Sequence, residues 1–139
     1  MAKHWALAIL LVSLFAIPLV HAAAYPDPNQ APRYFSSACA SVNRHFVFDF
    51  IVIMDAQDAQ TTEAELCLLY NQTAAHEVLV LVPGLGGESL EGYATHLFSA
   101  WGIGSKTVND GLLVLYVVDD GNGAGALRIE VGYGLEPTV

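Results

Sequence analysis

The stretch that decides the fold runs from Glu88 to Glu136 and reads ESLEGYATHLFSAWGIGSKTVNDGLLVLYVVDDGNGAGALRIEVGYGLE. Its first part predicts an amphipathic helix, because apolar residues recur at the three- and four-residue spacing of one helical face. These residues are Leu90, Tyr93, Ala94, Leu97, Phe98 and Trp101. Ser89 can cap the start of this helix by accepting a hydrogen bond from the first turn. Gly102 follows the last apolar residue, where a glycine commonly ends a helix.

Two apolar runs, residues 77–82 and 112–118, flank this helix and read as strands buried on both faces. A strand, a helix and a second strand in this order predict a parallel βαβ unit with a right-handed crossover. Residues 119–125 then turn the chain, and apolar and charged residues alternate in 126–131. That alternation predicts a half-exposed last strand, antiparallel to its predecessor, with Arg128 on its exposed face. The sequence therefore predicts an α/β fold.

Upstream of this unit the pattern is less regular. Asp55 can cap a helix that runs to about Gln72 and has one apolar face. Residues 46–54 (FVFDFIVIM) are apolar apart from Asp49. We interpret them as an extended segment that enters the core, and a run of this length is also typical of a buried strand.

Residues 1–24 read as a targeting segment. Lys3 precedes an uncharged apolar run over residues 5–20, and small residues follow it. This order is typical of a cleaved signal peptide, and the run is shorter than the roughly 20 apolar residues that span a bilayer. We therefore expect a secreted or extracytoplasmic protein, in a periplasm, in a lumen or at a cell surface, with an uncleaved membrane anchor as the alternative. Residues 25–45 then read as a proline-containing linker, and 46–139 as the folded domain.

The charge balance of the chain is strongly acidic. Asp and Glu number 14 against 5 Lys and Arg, which gives a formal net charge of −9. One of those bases, Lys3, lies in the leader. A surface of this sign repels the phosphates of nucleic acid and the head groups of anionic lipid. Both are therefore excluded as expected partners, whereas cations are favoured.

The chain has two cysteines, Cys39 and Cys67. In an oxidising compartment an even count predicts a disulfide between them. Closing a loop of this size is worth roughly 3–4 kcal/mol in the chain-entropy account. The alternative is that both stay thiols, with Cys67 buried on the first helix.

The sequence contains parts of known catalytic motifs, but none of these motifs is complete. The turn 83–87 (PGLGG) lies before a helix, where a glycine-rich loop can bind phosphate. Neither the lysine of a phosphate loop nor the serine elbow of a hydrolase is present. The five histidines are scattered, so no zinc site is predicted. Acids at strand ends could supply oxygen ligands for Ca²⁺, but scattered surface carboxylates are the ordinary expectation.

An ordered set of motifs resembles the TPM domain, a family named after thylakoid-lumen, photosystem-repair and receptor-modulator members. The likeness is densest in residues 88–136 and extends more weakly back to Phe46. The motifs are Tyr93-Ala94, Trp101-Gly102-Ile103-Gly104, Asn109-Asp110-Gly111 and Glu130-Val131-Gly132-Tyr133-Gly134-Leu135-Glu136, with Val47-Phe48-Asp49-Phe50 upstream.

The resemblance implies an α/β/α sandwich, a small mixed central sheet with helices on both faces. Similar domains bind divalent cations, usually calcium, in an acidic cleft near strand ends. Carried over by position, the metal ligands of this chain would be Asp49, Asp110, Glu130 and Glu136. Some members are described as acid phosphatases, and others as assembly or accessory modules of membrane complexes.

From these features we expect an exported, calcium-linked, non-catalytic module that supports a membrane or envelope protein complex. The alternative is a weak metal-dependent acid phosphatase. It is disfavoured because only four basic residues follow the leader, and phosphate chemistry needs a cationic clamp. Family members continue beyond the Gly-Leu-Glu motif with at least one more helix, so we expect this chain to be C-terminally incomplete.

Overall fold

The computed structural model describes residues 25–34 and 44–135. The predictions for residues 1–24, for Cys39 and for Glu136 lie outside the described residues. The helices and strands within them are, in chain order, β1 (Val47–Asp49), α1 (Ala56–Thr73), β2 (His76–Gly84), α2 (Leu90–Trp101), β3 (Gly111–Asp119) and β4 (Ala126–Val131). None of the helices in this part of the chain is long and apolar enough to cross a membrane.

The strands form one mixed sheet in the order β1-β2-β3-β4. β1 pairs with β2, and β2 with β3, in parallel, whereas β4 returns antiparallel to β3. Each parallel pair is joined through a helix, α1 for the first pair and α2 for the second. The predicted α/β fold, the parallel pairing of 77–82 with 112–118 and the antiparallel last strand are confirmed.

Local capping sets the helix boundaries. Ser89 Oγ accepts a hydrogen bond from Gly92 N at 3.1 Å, and Gly102 ends α2 in the left-handed conformation with φ 61. Both ends of α2 are as predicted. Asp55 caps α1 as predicted, and α1 runs to Thr73, slightly beyond the predicted end. A left-handed Ala74, and not a glycine, terminates α1.

The main core lies between the sheet and α2. Its central members come from one face of β2 and β3 and from the inner side of α2, namely Val78, Val80, Val82, Leu113, Leu115, Val117, Tyr93, Ala94 and Leu97. On the other face of the sheet, α1 packs against β1 and β2, where Ala59, Val47 and Leu79 meet. Helices therefore lie on both faces, as predicted.

The apolar segment 46–54 is only partly a strand. Phe46 and Val47 are fully buried, so this segment enters the core as expected. After β1 the chain turns, and Val52 adopts a left-handed φ of 51. Val52 and Ile53 are 68% and 60% exposed, so the second half of the run is a surface turn and not a buried strand.

A buried carboxylate closes the outer edge of β1. Glu63 lies on the inner side of α1 at 2% exposure, and its Oε2 accepts hydrogen bonds from Phe46 N at 3.0 Å and Val47 N at 2.8 Å. Because β1 is an edge strand, this carboxylate takes the place of a neighbouring strand. His45 Nδ1 lies 3.5 Å from the other carboxylate oxygen. Burial raises the pKa of Glu63, and the two backbone hydrogen bonds oppose part of that rise.

Cys67 also lies on the inner side of α1, fully buried and packed with Phe46. The sequence analysis named burial on the first helix only as part of the alternative to a disulfide, and this placement does not decide between the two. Because Cys39 lies outside the described residues, its disulfide with Cys67 stays a prediction.

The exposed and covered faces of β4 are the reverse of those predicted. Leu127, Ile129 and Val131 are 59%, 50% and 38% exposed, whereas the Arg128 guanidinium lies 3.1 Å from Glu91 of α2. The register explains this inversion, since the three apolar residues pair with β3 residues on the α1 side of the sheet. α1 packs over β1 and β2, so this side of β4 faces outward. The expectation that Arg128 lies on the exposed face is wrong.

Candidate functional site

The predicted metal ligands that the structure describes lie apart. Asp49 ends β1 and is level with Leu81 of β2 and Tyr116 of β3, near the carboxyl edge of the parallel strands. Asp110 precedes Gly111 at the amino end of β3, about 20 Å from Tyr116 along the strand at roughly 3.3 Å per residue. Calcium–oxygen distances are about 2.3–2.6 Å, so Asp49 and Asp110 cannot hold the same ion.

Asp49 has a structural role, because it binds the backbone of the turn after β1. Its carboxylate is fully buried and accepts hydrogen bonds from Ile51 N at 3.3 Å and Met54 N at 2.9 Å. These bonds hold the turn that follows β1. Burial, with a smaller contribution from the Asp49 charge, raises the pKa of Tyr34, so the two side chains are neighbours under α1.

Asp110 organises the loop between α2 and β3. Its Oδ1 accepts a hydrogen bond from Ser105 N at 2.7 Å, and its carbonyl oxygen accepts one from His76 N at 3.0 Å. The preceding Asn109 adopts a left-handed φ of 54. Asp110 therefore ties this loop to the start of β2, which is a structural role.

Glu130 faces α2, where Thr95 Oγ1 donates to it at 3.2 Å and Arg128 Nη2 lies 3.3 Å away. It is paired in register with Leu113, about 10 Å along the strand from Asp110 at roughly 3.3 Å per residue. Among the described residues, no group of three or more His, Cys, Asp or Glu could hold a metal ion. The family resemblance grouped these acids, but the described ones lie at both edges of the sheet, with Asp49 at the carboxyl end of β1 and Asp110 at the amino end of β3.

The glycines of the recurring motifs meet at the amino end of β3. A Cβ on Gly111 would collide with the backbone of Ile103, and one on Gly132 would collide with the Asn109 carbonyl oxygen. At the same place Gly132 N donates to Gly111 O at 2.8 Å, and Gly134 N donates to Asn109 O at 3.0 Å. Only glycine allows backbones to approach this closely. We call this contact of the motif loops the glycine joint.

A cleft of about 370 Å³ lies at the carboxyl ends of β2 and β3. It is lined by the glycine-rich turn 83–87, by Glu88 and by the loop 119–122. None of these described lining residues is Lys, Arg or His. In open α/β sheets, ligands commonly bind outside the carboxyl ends of the strands, and the acidic lining of this cleft disfavours an anionic ligand.

The two aspartates of the cleft are held by their own loop. Asp119 Oδ1 accepts hydrogen bonds from Gly121 N at 2.8 Å and Gly123 N at 3.0 Å. Asp120 Oδ1 accepts one from Asn122 N at 2.8 Å, and this bond lowers the pKa of Asp120. The Asp120 carboxylate is therefore ionised at neutral pH, and the loop fixes the positions of both side chains.

The outer side of the sheet carries an uncovered apolar area beside α1. We call it the β3–β4 face, and it consists of Leu112, Val114, Tyr116, Leu127, Ile129 and Val131. Its β3 members are half-buried and its β4 members exposed. A groove of about 230 Å³ separates the face from α1, with Leu66, Leu79 and Glu77 among its walls. Contiguous apolar surface of this kind is typical of an interaction site.

The glycine joint brings together motifs that are far apart in sequence, and the same ordered set recurs in a known family. A model of the TPM domain matches residues 47–139. The chain belongs to the TPM domain family. Three glycines of these motifs, Gly111, Gly132 and Gly134, form the glycine joint of this TPM domain.

A solved structure similar to this TPM domain is the N-terminal domain of a protein from P. gingivalis, determined by solution NMR. The two are 25% identical with a TM-score of 0.58, and the match covers 81% of this chain and 66% of that chain. This chain therefore spans about two thirds of the length of the bacterial domain. A comparison with curated proteins gave no match.

Two features of this TPM domain escaped the sequence analysis. The first is the buried Glu63. It lies four residues from Ala59 and four from Cys67, so the three share one side of α1, and this spacing could have indicated its burial. The second is the β3–β4 face. Its alternating pattern was visible in the sequence, but only the position of α1 decides which side of β4 stays uncovered.

Proposed function

We propose that this TPM domain is a non-catalytic exported module that supports a membrane or envelope protein complex. The observation that carries the proposal is the β3–β4 face, where Leu127 and Ile129 are 59% and 50% exposed on a regular strand. Burial of apolar surface is the main driving force of most protein association. A partner that covers this face therefore gains free energy from burying it.

We propose that the occupant of the β3–β4 face is an amphipathic helix of the partner protein, and not the further C-terminal helix that the family resemblance implies. Two strands at roughly 4.8 Å spacing span about 10 Å, and a helix with its side chains is about 10–12 Å wide. Because α1 packs over β1 and β2, a helix on β3 and β4 completes the same layer. β4 is about 20 Å long at roughly 3.4 Å per residue, which matches about 13 helical residues.

Charge favours a basic rim on that helix. Glu77 lines the groove at the border of the face, and the whole chain has a net charge of −9. Complementary charge steers association and selects partners. The same charge makes nucleic acid and anionic lipid poor partners.

Export is proposed from the leader. Lys3, the apolar run 5–20 and the small residues after it form a signal-peptide pattern. Delivery to an oxidising compartment is consistent with the predicted pairing of Cys39 with Cys67. An uncleaved leader, the alternative, would hold the domain beside a membrane complex.

The acidic cleft gives little support to phosphatase chemistry. A phosphoryl group needs cationic donors that stabilise its developing charge, and the described residues that line the cleft include no Lys, Arg or His. Arg128 is occupied by Glu91 and Glu130 on the α2 side of the sheet. If the purified protein hydrolysed a phosphate monoester and Asp119→Asn abolished that activity, the phosphatase would become the favoured function.

The substitution Ile129→Lys tests the proposed docking surface. Ile129 is half-exposed, so the free energy of unfolding should change by less than about 0.5–1 kcal/mol. A charge at the centre of an apolar interface should, however, reduce recovery of the complex at least tenfold, measured by quantitative co-purification from the cells that make the protein. Leu68→Lys on the outer side of α1, at a residue of 47% exposure, is the matched control and should leave recovery unchanged. Equal losses in both variants would contradict the proposal.

We also propose that calcium binds in the acidic cleft, through Asp119 and Asp120 together with backbone oxygens and water. Two carboxylates give weak affinity, of the millimolar order seen in extracellular calcium modules. At ten times Kd, binding adds about 1.4 kcal/mol of stability, so Tm should rise by several degrees. Mg²⁺ should raise Tm less, because it gives up its waters reluctantly.

The calcium prediction is checked by calorimetric melting with two variants. The double substitution Asp119→Asn with Asp120→Asn should remove the Tm increase, whereas Asp58→Asn, in the exposed first turn of α1, should retain it. A rise of equal size in all three proteins would identify general charge screening and contradict a site in the cleft.

A further inference from the structure

Another cavity lies on the α2 side of the sheet, near the amino ends of β2 and β3. We call it the Trp101 pocket; its volume is about 330 Å³, at the small end of the range for ligand sites in proteins. Its walls are mainly apolar and include Phe48, Val78, Trp101 and Ile103. It lies on the opposite side of the sheet from the β3–β4 face, so it is independent of the proposed docking surface.

The aromatic wall of the pocket is rigid and apolar. Trp101 Nε1 donates a hydrogen bond to Pro26 O at 3.2 Å, so the polar atom of the indole is already satisfied. The ring packs edge to face on Phe48 with a centroid distance of 4.8 Å. A ligand therefore meets a fixed aromatic surface, which contributes contact area at little cost in side-chain entropy.

Two polar groups converge on the pocket from its rim. Gly104 N donates to His76 Nδ1 at 3.1 Å, so the neutral ring carries its proton on Nε2 and can donate from there. Burial, and then the nearby Arg44 charge, lower the pKa of His76, which keeps the ring neutral. Arg44 lies over the Tyr70 ring at 5.4 Å, and its guanidinium makes no ion pair with the described acids.

Of the described Lys and Arg side chains, only Arg128 forms an ion pair with a carboxylate. The neighbouring His45 is engaged by Glu63 at 3.5 Å, so Arg44 is the cation that the rim offers to a ligand. A guanidinium binds a carboxylate through two parallel hydrogen bonds. The net charge of −9 of the whole chain disfavours a doubly charged ligand such as phosphate.

We propose that the Trp101 pocket binds a small organic monocarboxylate with an apolar body. The carboxylate binds Arg44 and accepts a hydrogen bond from His76 Nε2, and the apolar body packs on Trp101, Phe48 and Ile103. Neither the metal chemistry nor the partner docking proposed above requires this ligand.

Tryptophan fluorescence tests the proposal directly. The chain has two tryptophans, so the full chain carrying Trp5→Phe reports on Trp101 alone. Titration with decanoate below its micelle concentration should give a saturable change in emission. Decanol, which has the same apolar body without the charge, should bind at least tenfold more weakly. Inorganic phosphate should give no change.

Variants of the rim identify the anion-binding group. Arg44→Gln should weaken decanoate binding at least tenfold and leave decanol binding unchanged, whereas Arg44→Lys should restore part of the loss. Arg33→Gln is the matched control, because Arg33 is exposed and bonded to Asn29, and it should bind decanoate as the parent protein does. Equal binding of decanoate and decanol, no effect of Arg44→Gln, or no saturable signal would each overturn the proposal.

Discussion

Replacing Glu63 with alanine should lower the free energy of unfolding by about 2–4 kcal/mol, because each buried donor left without an acceptor costs roughly 1–3 kcal/mol. The substitution would remove the acceptor of Phe46 N and Val47 N, which lie 3.0 and 2.8 Å from Glu63 Oε2. β1 is an edge strand of the sheet that the structure describes, so no described neighbouring strand can replace that acceptor. Urea unfolding at pH 7 measures the effect.

Glu63→Gln is the matched control, since it keeps an acceptor oxygen in nearly the same position. It should cost less than half as much as alanine. A loss as large as that of alanine would mean that packing, and not the closing of the strand edge, explains the role of Glu63.

We also expect the difference in stability between the wild-type protein and Glu63→Gln to depend on pH. Burial raises the folded-state pKa of Glu63 above its ordinary value of 4.5, so the folded protein holds this proton more tightly than the unfolded chain. The contribution of this raised pKa to the free energy of unfolding is fully present below pH 4.5. It is lost as pH rises through the folded-state pKa. The wild-type protein should therefore lose stability relative to Glu63→Gln over that interval. A difference between the two that stays constant from pH 4 to pH 8 would contradict this assignment.

The second large effect is expected at the glycine joint. Gly132→Ala would place a methyl group against the Asn109 carbonyl oxygen. That carbonyl cannot retreat freely, because it accepts from Gly134 N at 3.0 Å. Adding a methyl group to a tightly packed region usually lowers the free energy of unfolding by about 1–3 kcal/mol, and occasionally by more. Because the obstacle here is backbone and not a mobile side chain, we expect the upper end of that range, about 3 kcal/mol. Thermal unfolding of the variant measures this loss.

Gly84→Ala is the control for the glycine joint. A Cβ there would lie 3.6 Å from its nearest contact, Asp119 O, which is an ordinary separation. The change should stay within about 1 kcal/mol, the usual range where the backbone conformation is compatible with alanine. Equal losses at Gly84 and Gly132 would show that the joint is not specially constrained.

Local signals made the second helix predictable from the sequence. Ser89 and Gly102 act within a few residues of the ends of α2, so capping chemistry alone sets both boundaries. The parallel pairing of β2 and β3 follows equally from the strand-helix-strand order. These elements needed no knowledge of the rest of the molecule.

Non-local placement explains the errors and the omissions. Alternation in β4 gives a period of two but does not say which side is covered, and that depends on how far α1 reaches across the sheet. Asp49 ends β1 whereas Asp110 precedes β3, and because these strands run in the same direction the two acids lie at opposite edges of the sheet. Glu63 finds its role only when its helix packs beside the edge of β1.

Site-specific photo-crosslinking from position 129 tests the central claim most directly. The full chain, carrying a photoreactive residue in place of Ile129, is expressed in the cells that make the protein, and adducts are mapped by mass spectrometry. Position 68 on the outer side of α1 serves as the control. The account predicts an adduct from position 129 with an amphipathic helix of one membrane or envelope protein, and none from position 68. No adduct from position 129, equal adducts from both positions, or adducts confined to a second copy of this chain would contradict it.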